Sequence, residues 1–334
     1  MVVVPPDEEF LTYNQGVIKE FRANEGVVTQ LGFPILLLST TGVRTGRSTT
    51  TPLGFSVDDP PLTPSPRRVA VAGITSRQRH QGATMPTEEL SGTTALVTGA
   101  SRGFGRAIAA ALSAAGANVV GVARDQDRLR ELRTELGESF VAVAADAADP
   151  SVVGLLIDKY RPRTVVLNAG ATPLPRPIQH HTWQTFSRNW EVDVQQVFHW
   201  IREALLAPLD PGSVVIAFSS GAAIGGSPLS GGYAGAKAAI RFISSYAAAE
   251  SERHGLGIRF VSVLPRLTPA TDLGAAAVAG YAQREALDVA TFLDRFGPTL
   301  TPVQVGKIIV DLAADAGYVQ KAYLVTAAGI APAP

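Results

Sequence analysis

The stretch Thr94–Ala123, TALVTGASRGFGRAIAAALSAAGANVVGVA, decides the fold. It opens on a short apolar run and turns through Gly99, Gly103 and Gly105. An alanine-rich segment of helical length follows, then a second apolar run. A strand that passes through glycines into a helix N-terminus offers an anion a tight main-chain path with no side chain in the way, and outward N–H groups. Ordinary loops also collect glycine. Here the trio follows a strand and opens a helix, the context of a dinucleotide phosphate site, although its TGxxxGxG spacing is wider than GxGxxG.

Outward from this unit, SFVAVAA, RTVVLNAG, SVVIAFSS and IRFVSVLP repeat the pattern of short continuous apolar runs separated by helical segments. That is the signature of a parallel sheet covered on both faces, an α/β Rossmann-type doubly wound domain. It is expected over residues 85–334, with residues 1–84 as a separate segment and linker. The proline-rich VDDPPLTPSPRR (Val57–Arg68) and the polar SRQRHQGATMPTEELSG (Ser76–Gly92) mark the boundary.

The chain has 334 residues, 46% apolar and 17% charged, enough for a large core. Its 29 basic and 29 acidic residues balance, and no basic stripe is present, which argues against nucleic acid or an acidic membrane as partner. With no cysteine, disulfides, thiolate catalysis and zinc-thiolate sites are excluded. The opening MVVVPP is too short and proline-bound for a secretory signal, and no apolar run reaches spanning length. A soluble cytoplasmic protein is expected.

The segment GGYAGAKAAI (Gly231–Ile240) is featureless except for Tyr233 and Lys237, four apart and so on one helix face. A phenol ionises near pH 10, and moving that to about 7 takes roughly 4 kcal/mol. A cation about 4 Å away supplies about 1 kcal/mol in water and about 4 at an effective dielectric near 20. The pair is therefore useful as acid and base only in a sheltered cleft. Alone it reads as a surface pair on an amphipathic helix; the glycine turn and Ser220 change that reading.

These elements together resemble the short-chain dehydrogenase/reductase family across residues 85–334: Thr98 to Gly105, the NAG of Asn168, Ala169 and Gly170, Ser220 thirteen residues before the tyrosine, and the YxxxK pair. The resemblance implies that Tyr233 is general acid in reduction and base in oxidation. Lys237 would assist it and hold the nicotinamide ribose, and Ser220 would hydrogen-bond the substrate oxygen. Ser219 keeps open a reading in which the strand-end serine only caps the next turn. The resemblance also implies cofactor contacts at Thr98, Gly99, Ser101, Arg102, Gly103, Phe104, Gly105, Arg124, Asp146, Ala147, Asn168, Ala169, Gly170, Tyr233, Lys237, Pro265 and Thr268. Asp146 reads equally as an adenine contact or a turn residue.

At the end of the second strand, GVARDQ puts Ala123 where a carboxylate would hold a ribose 2′-hydroxyl. Arg124 and Arg102 instead suit a 2′-phosphate, favouring NADP(H) over NAD(H); the bland reading of Arg124 is the start of a solvated helix.

Two positions depart from the family. NWEVDVQQVF places Asp193 where the family has asparagine. Asparagine donates and accepts; an ionised aspartate only accepts, and its charge favours a charged Lys237. Asp193 stands as a candidate catalytic residue, with a helix-face aspartate at a subunit contact as the alternative. Asn189, one turn earlier, is displaced by about 5.4 Å and is no obvious replacement. In LPRLTPATDLG, Arg266 replaces glycine, and Thr268 or Thr271 is expected near the nicotinamide amide or pyrophosphate. The apolar LGAAAVAG and FLDRF beyond point to an apolar substrate pocket. His180, His181 and Trp183 lack metal-ligand spacing and read as structural or pocket-rim residues, so no metal is expected.

The front of the chain, YNQGVIKEFRANEG and PILLLSTTGVRTGRSTTTPLGF, resembles the start of the deazaflavin-dependent nitroreductase family, a split β-barrel group. Arg44, Thr45, Arg47 and Thr50 match the turn that holds the cofactor phosphate there. Only a helix and about three strands, ending near RRVAVAG, match. Such a partial split barrel leaves sheet edges open, so this small α+β segment reads as a remnant without independent activity. Phe10, Asn14, Val17, Ile18 and Phe21 form one helical stripe that would dock on the main domain or a partner subunit; the alternative is a loose extension.

The expectation is an NADP(H)-dependent oxidoreductase interconverting a small-molecule carbonyl and an alcohol, assembled as a homodimer or homotetramer through DVQQVFHWIREALL and YAGAKAAIRFISSYAAAE. The rivals are an NADP-binding sensor or scaffold with weakened catalysis, and a bifunctional protein with a deazaflavin site at its N-terminus.

Overall fold

In a computed structural model of the chain, the structure describes residues 17–23, 35–41, 48–54, 90–295 and 297–334. The chain divides into two compact units, Met1–Gln81 and Gly82–Pro334. In the first, helix α1 (17–23) buries Val17 and half-buries Ile18 and Phe21. Strands β1 (Ile35–Thr41) and β2 (Ser48–Gly54) pair antiparallel, Ser39 opposite Thr50. Phe10, Asn14, Arg44, Thr45, Arg47, the strand expected near RRVAVAG and the boundary near Met85 lie outside the described residues.

The second unit holds one eight-stranded sheet. Each apolar run of the sequence forms a strand: β3 (Thr94–Thr98), β4 (Asn118–Ala123), β5 (Phe140–Ala144), β6 (Thr164–Leu167), β7 (Val214–Phe218) and β8 (Arg259–Pro265). To these the structure adds β9 (Ala322–Thr326) and β10 (Gly329–Pro332), short C-terminal strands that are only partly buried. The order is β5-β4-β3-β6-β7-β8-β9-β10, parallel except for the β9–β10 hairpin.

The connecting helices are α2 (Gly103–Ala114), α3 (Gln126–Leu136), α4 (Pro150–Tyr160), α5 (Trp183–Asn189), α6 (Gln195–Leu206), α7 (Ala222–Gly225), α8 (Tyr233–Arg253), α9 (Asp272–Arg284), α10 (Val289–Asp294) and α11 (Pro302–Ala314). One core, with Ile108, Leu112, Ile309 and Leu312, lies between the sheet and α2 and α11; a second, with Leu156, Trp200 and Ile240, lies under α4, α6 and α8. Burial on both faces explains why the inner strands β3, β4, β6, β7 and β8 read as continuous apolar runs, whereas in edge strand β5 only Phe140 is buried. A third, small core of Val278, Ala282 and Phe292 joins α9 to α10.

From β3 the chain winds outward to β4 and β5, then returns to β6 on the other side of β3. That reversal opens a crevice at the carboxyl ends of β3 and β6, where open α/β sheets bind their ligands.

Candidate active site

A cleft of about 1420 Å³ opens at this crevice. It exceeds the roughly 300–1,000 Å³ of a typical small-ligand pocket, leaving room for a dinucleotide and a second small molecule. Of the sequence-expected residues, Gly99, Ser101–Phe104, Arg124, Asp146, Ala147, Asn168–Gly170, Asp193, Ser220, Tyr233, Lys237, Pro265 and Thr268 lie on its wall.

Its phosphate end is made of backbone. Gly99 takes φ +70°, and a Cβ there would meet Ala169 Cα at 2.9 Å. A Cβ on Gly105 would sit 2.1 Å from Gly99 O, so the turn closes only without one. Helices α3, α4, α5, α9, α10 and α11 begin with an Asp or Thr side chain accepting a backbone N–H. Helix α2 begins at Arg102 with no side-chain cap and no acid in its first turn. Its first N–H groups are thus left for an anion, and the glycine cradle fits a pyrophosphate.

Two residues expected to touch the cofactor do not line the cleft. Thr98 is fully buried; its hydroxyl donates to Gln196 Oε1 at 3.0 Å and accepts from the Asn168 and Ala169 N–H groups, tying β3 to β6. Gly105 is needed for the helix to approach the turn. Thr268 is on the wall, but its hydroxyl donates to Leu300 O at 2.5 Å and accepts from Ala270 N–H, which fixes the loop after β8. Thr271, the N-cap of α9, faces the glycine turn, with its Cγ2 3.7 Å from where a Gly103 Cβ would be. The Asn168 amide braces the Thr98 and Gly99 carbonyls.

At the far end of the cleft, Arg124 is exposed and makes no hydrogen bond or ion pair among the described residues. Asp125 is occupied as the N-cap of α3, accepting from Arg128 N–H. Arg102 reaches Asp272 at 3.5 Å across exposed surface. Asp146 lies on the wall and also accepts from Ala148 N–H at 3.0 Å, so the turn role is present.

The chemical end is made of side chains. Helix α8 starts where glycines let it approach its neighbours: a Cβ on Gly232 would meet Phe186 O at 2.2 Å, and one on Gly235 the Trp190 ring at 3.3 Å. These small residues serve packing within the chain. Tyr233 is half-buried and Lys237 buried, with Nζ 5.5 Å from the Tyr233 ring centroid and donating to Phe218 O at 3.0 Å. Ser219 donates to Lys237 O at 2.7 Å and is spent on the helix. Ser220, half-buried on the wall, accepts from Ala222 N–H at 3.2 Å, so it caps the next turn while its own O–H remains available.

Asp193 lies in a π-helical segment, Trp190–Val194, between α5 and α6. Its Oδ2 is 3.1 Å from Lys237 Nζ, the two side chains 1% and 7% exposed. Oδ2 thus faces the ammonium as an ion pair. Oδ1 accepts from Ala171 N–H at 2.8 Å and from Asn189 Nδ2 at 3.4 Å. Burial pulls the Lys237 ammonium down, but the negative charge of Asp193, with that of Tyr233 when it is a phenolate, outweighs it and holds it above the ordinary lysine range. Asp193 thus acts on Lys237, and Asn189 steadies Asp193. The Asp193 charge acting on Lys237 is anticipated from the sequence, whereas Asn189 as the partner of Asp193 is missed.

Arg266 is exposed on the wall at the end of β8. The His181 ring bonds Thr185 Oγ1 and Arg176 O, directly under Gly231. Among the described residues no cluster of metal-ligating side chains occurs and no helix is long and apolar enough to cross a membrane.

The family model described as short chain dehydrogenase matches residues 93–281, and that described as F420H(2)-dependent quinone reductase matches residues 14–63. The serine 3-dehydrogenase of Agrobacterium fabrum is 32% identical, covering 52% of this chain and 70% of its own. The L-rhamnose 1-dehydrogenase (NAD(P)(+)) of a Sphingomonas species is 30% identical over 72% of this chain and 97% of its own. The fold is similar to a crystal structure of the 3-ketoacyl-(acyl-carrier-protein) reductase of Brucella melitensis complexed with NADH, with a TM-score of 0.58, 24% identity, and coverage of 70% of this chain and 96% of that one.

Proposed function

The chain belongs to the short-chain dehydrogenase family of oxidoreductases, and from that premise we propose that it interconverts a small-molecule ketone or aldehyde and its alcohol with NADP(H), using Tyr233 as the proton donor and acceptor. The observation that carries this reading is the Tyr233–Lys237 pair, one helical turn apart, facing the same cleft as the uncapped glycine turn.

The N-terminal turn of α2, with Gly99 and Gly103, would hold the pyrophosphate, and the wall beside Asn168–Gly170 the adenosine half. When bound, the nicotinamide supplies hydride to the carbonyl carbon in reduction and receives it in oxidation. The chain's own groups do the rest. Ser220 Oγ–H donates to the substrate oxygen and orients it. Tyr233 Oη gives its proton to that oxygen as negative charge gathers there. The phenolate left behind faces the Lys237 ammonium, whose remaining N–H groups are available to the nicotinamide ribose.

Support for NADP(H) comes from the strand end: Ala123 offers no carboxylate, Asp125 is committed to its helix, and Arg124 is unengaged. Titrating NADPH and NADH while following nicotinamide fluorescence, then a panel of carbonyl compounds while following its absorbance, tests the reading. Arg124→Ala is expected to weaken NADPH by roughly 10- to 150-fold, the loss of one charge-assisted contact of about 1.5–3 kcal/mol, and leave NADH unchanged. Cofactor binding without Tyr233-dependent turnover would favour the sensor reading.

We also assign to α6 and α8 a homo-oligomeric contact. Phe242 and Tyr246 stack on one another at 58% and 65% exposure, and Phe198 is 49% exposed. Light scattering on the eluting protein checks this: a monomer contradicts it. For residues 14–63, the quinone-reductase match favours a second reading, a deazaflavin site in the first unit, which titration of reduced deazaflavin into the full chain would reveal.

A further inference from the structure

The buried Asp193 carboxylate changes what Lys237 can do to Tyr233. A lone ammonium behind a phenol favours the phenolate, the form that takes a proton from an alcohol. Here the ammonium is met at 3.1 Å by a carboxylate that is itself buried and fixed. Ala171 N–H and the Asn189 amide hold Oδ1, while Gly170 leaves room for Oδ2, which a Cβ there would meet at 2.8 Å. Opposite charges this close leave little more than a dipole at the distance of the ring, in place of a full positive charge. The carboxylate also keeps Lys237 protonated, so the pair does not come apart by loss of the lysine proton near neutrality.

Resting on the reading of Tyr233 and Lys237 given above, we propose that Asp193 is a positioning residue that cancels much of the Lys237 field at Tyr233 and so sets the site to donate a proton: a reductase near neutrality, with alcohol oxidation rising only in alkaline solution. Among the described residues, His181 beneath Gly231, Arg266 at the end of β8 and Glu191 of the π segment, which accepts from Ser187 Oγ–H, are further charged or titratable groups on the elements around the pair. Farther out on the cleft wall, Asp272 pairs with Arg102 and Glu285 with Arg295. They remain in every variant below and drop out of the comparison.

The test is Asp193→Asn, which keeps the side chain's shape and an oxygen for Ala171 N–H while removing the charge. Two readouts are taken in the full chain. The near-ultraviolet phenolate absorbance, each background minus its Tyr233→Phe counterpart, follows the phenol directly and needs no substrate. The pH profile of alcohol oxidation follows the same event in turnover. Both are expected to move toward acid by roughly one pH unit in Asp193→Asn, the scale of one uncompensated neighbouring charge. Asp193→Ser, neutral and smaller, should move them the same way, and circular dichroism with cofactor titration confirms that each variant is folded.

An unmoved or alkaline-shifted phenolate signal overturns the role of Asp193. Turnover that survives Tyr233→Phe overturns the functional reading instead, whatever the Asp193 variants do. An aspartate that only held the structure would change stability and leave both pH dependences in place.

Discussion

The two ends of the cleft are built from different materials. The phosphate end is backbone: glycines whose missing side chains let Gly105 and Gly99, and Gly99 and Ala169, approach closer than any Cβ allows, and a helix start without a cap. The chemical end is side chain: a half-buried phenol and a buried ammonium and carboxylate, brought together from α8 and the π segment. The first fails when something is added, and the second when something is taken away.

That contrast can be broken experimentally. Gly105→Ala has the largest expected effect, above about 4 kcal/mol in urea unfolding, because the added carbon would lie on a carbonyl oxygen that cannot move without the strand. Tolerance of this change would remove the argument for a backbone-built end. Next comes Lys237→Met, which strands a buried carboxylate and is expected to cost roughly 3–5 kcal/mol. The pH dependence follows from the raised lysine value. The ammonium's contribution is complete below the unfolded-state value and is lost as pH climbs through the higher folded one. The stability gap between wild type and Lys237→Met should therefore hold through neutral and mildly alkaline solution and start to close only in strong alkali.

Gly103→Ala sharpens the comparison within the glycine turn. Gly103 has φ +54° but its nearest neighbour, Thr271, lies 3.7 Å from a Cβ, so only the left-handed backbone is penalised, by about 1–2 kcal/mol. Asp272→Asn is the smallest case. Its pairing with Arg102 is exposed on both sides, and the thermal midpoint should scarcely move, since such pairs contribute about 0–1 kcal/mol.

The same contrast explains what the amino-acid sequence makes legible. Strands β3, β4, β6, β7 and β8 announce themselves because a sheet buried on both faces needs continuous apolar runs, and Tyr233 and Lys237 because helical spacing alone puts them on one face. The glycine turn is readable as a phosphate cradle, but the separate duties of its glycines are not: Gly105 serves packing, and Thr98, fully buried, ties two strands together. Contacts between distant residues leave no mark in spacing. Thr98 to Gln196 and Asp193 to Ala171 N–H depend on how the π segment and the start of α6 wind. Strands β9 and β10 are missed because they are short and only partly buried, and Ala322–Thr326 does not stand between helical segments as the other runs do.

The most direct measurement of the central claim is a single turnover of bound NADPH with an accepted ketone or aldehyde, followed by nicotinamide absorbance, in wild type and Tyr233→Phe. The proton-donor role predicts that the variant still binds cofactor and that its rate is lower by about 10²–10⁴-fold. Equal rates in the two proteins would contradict it.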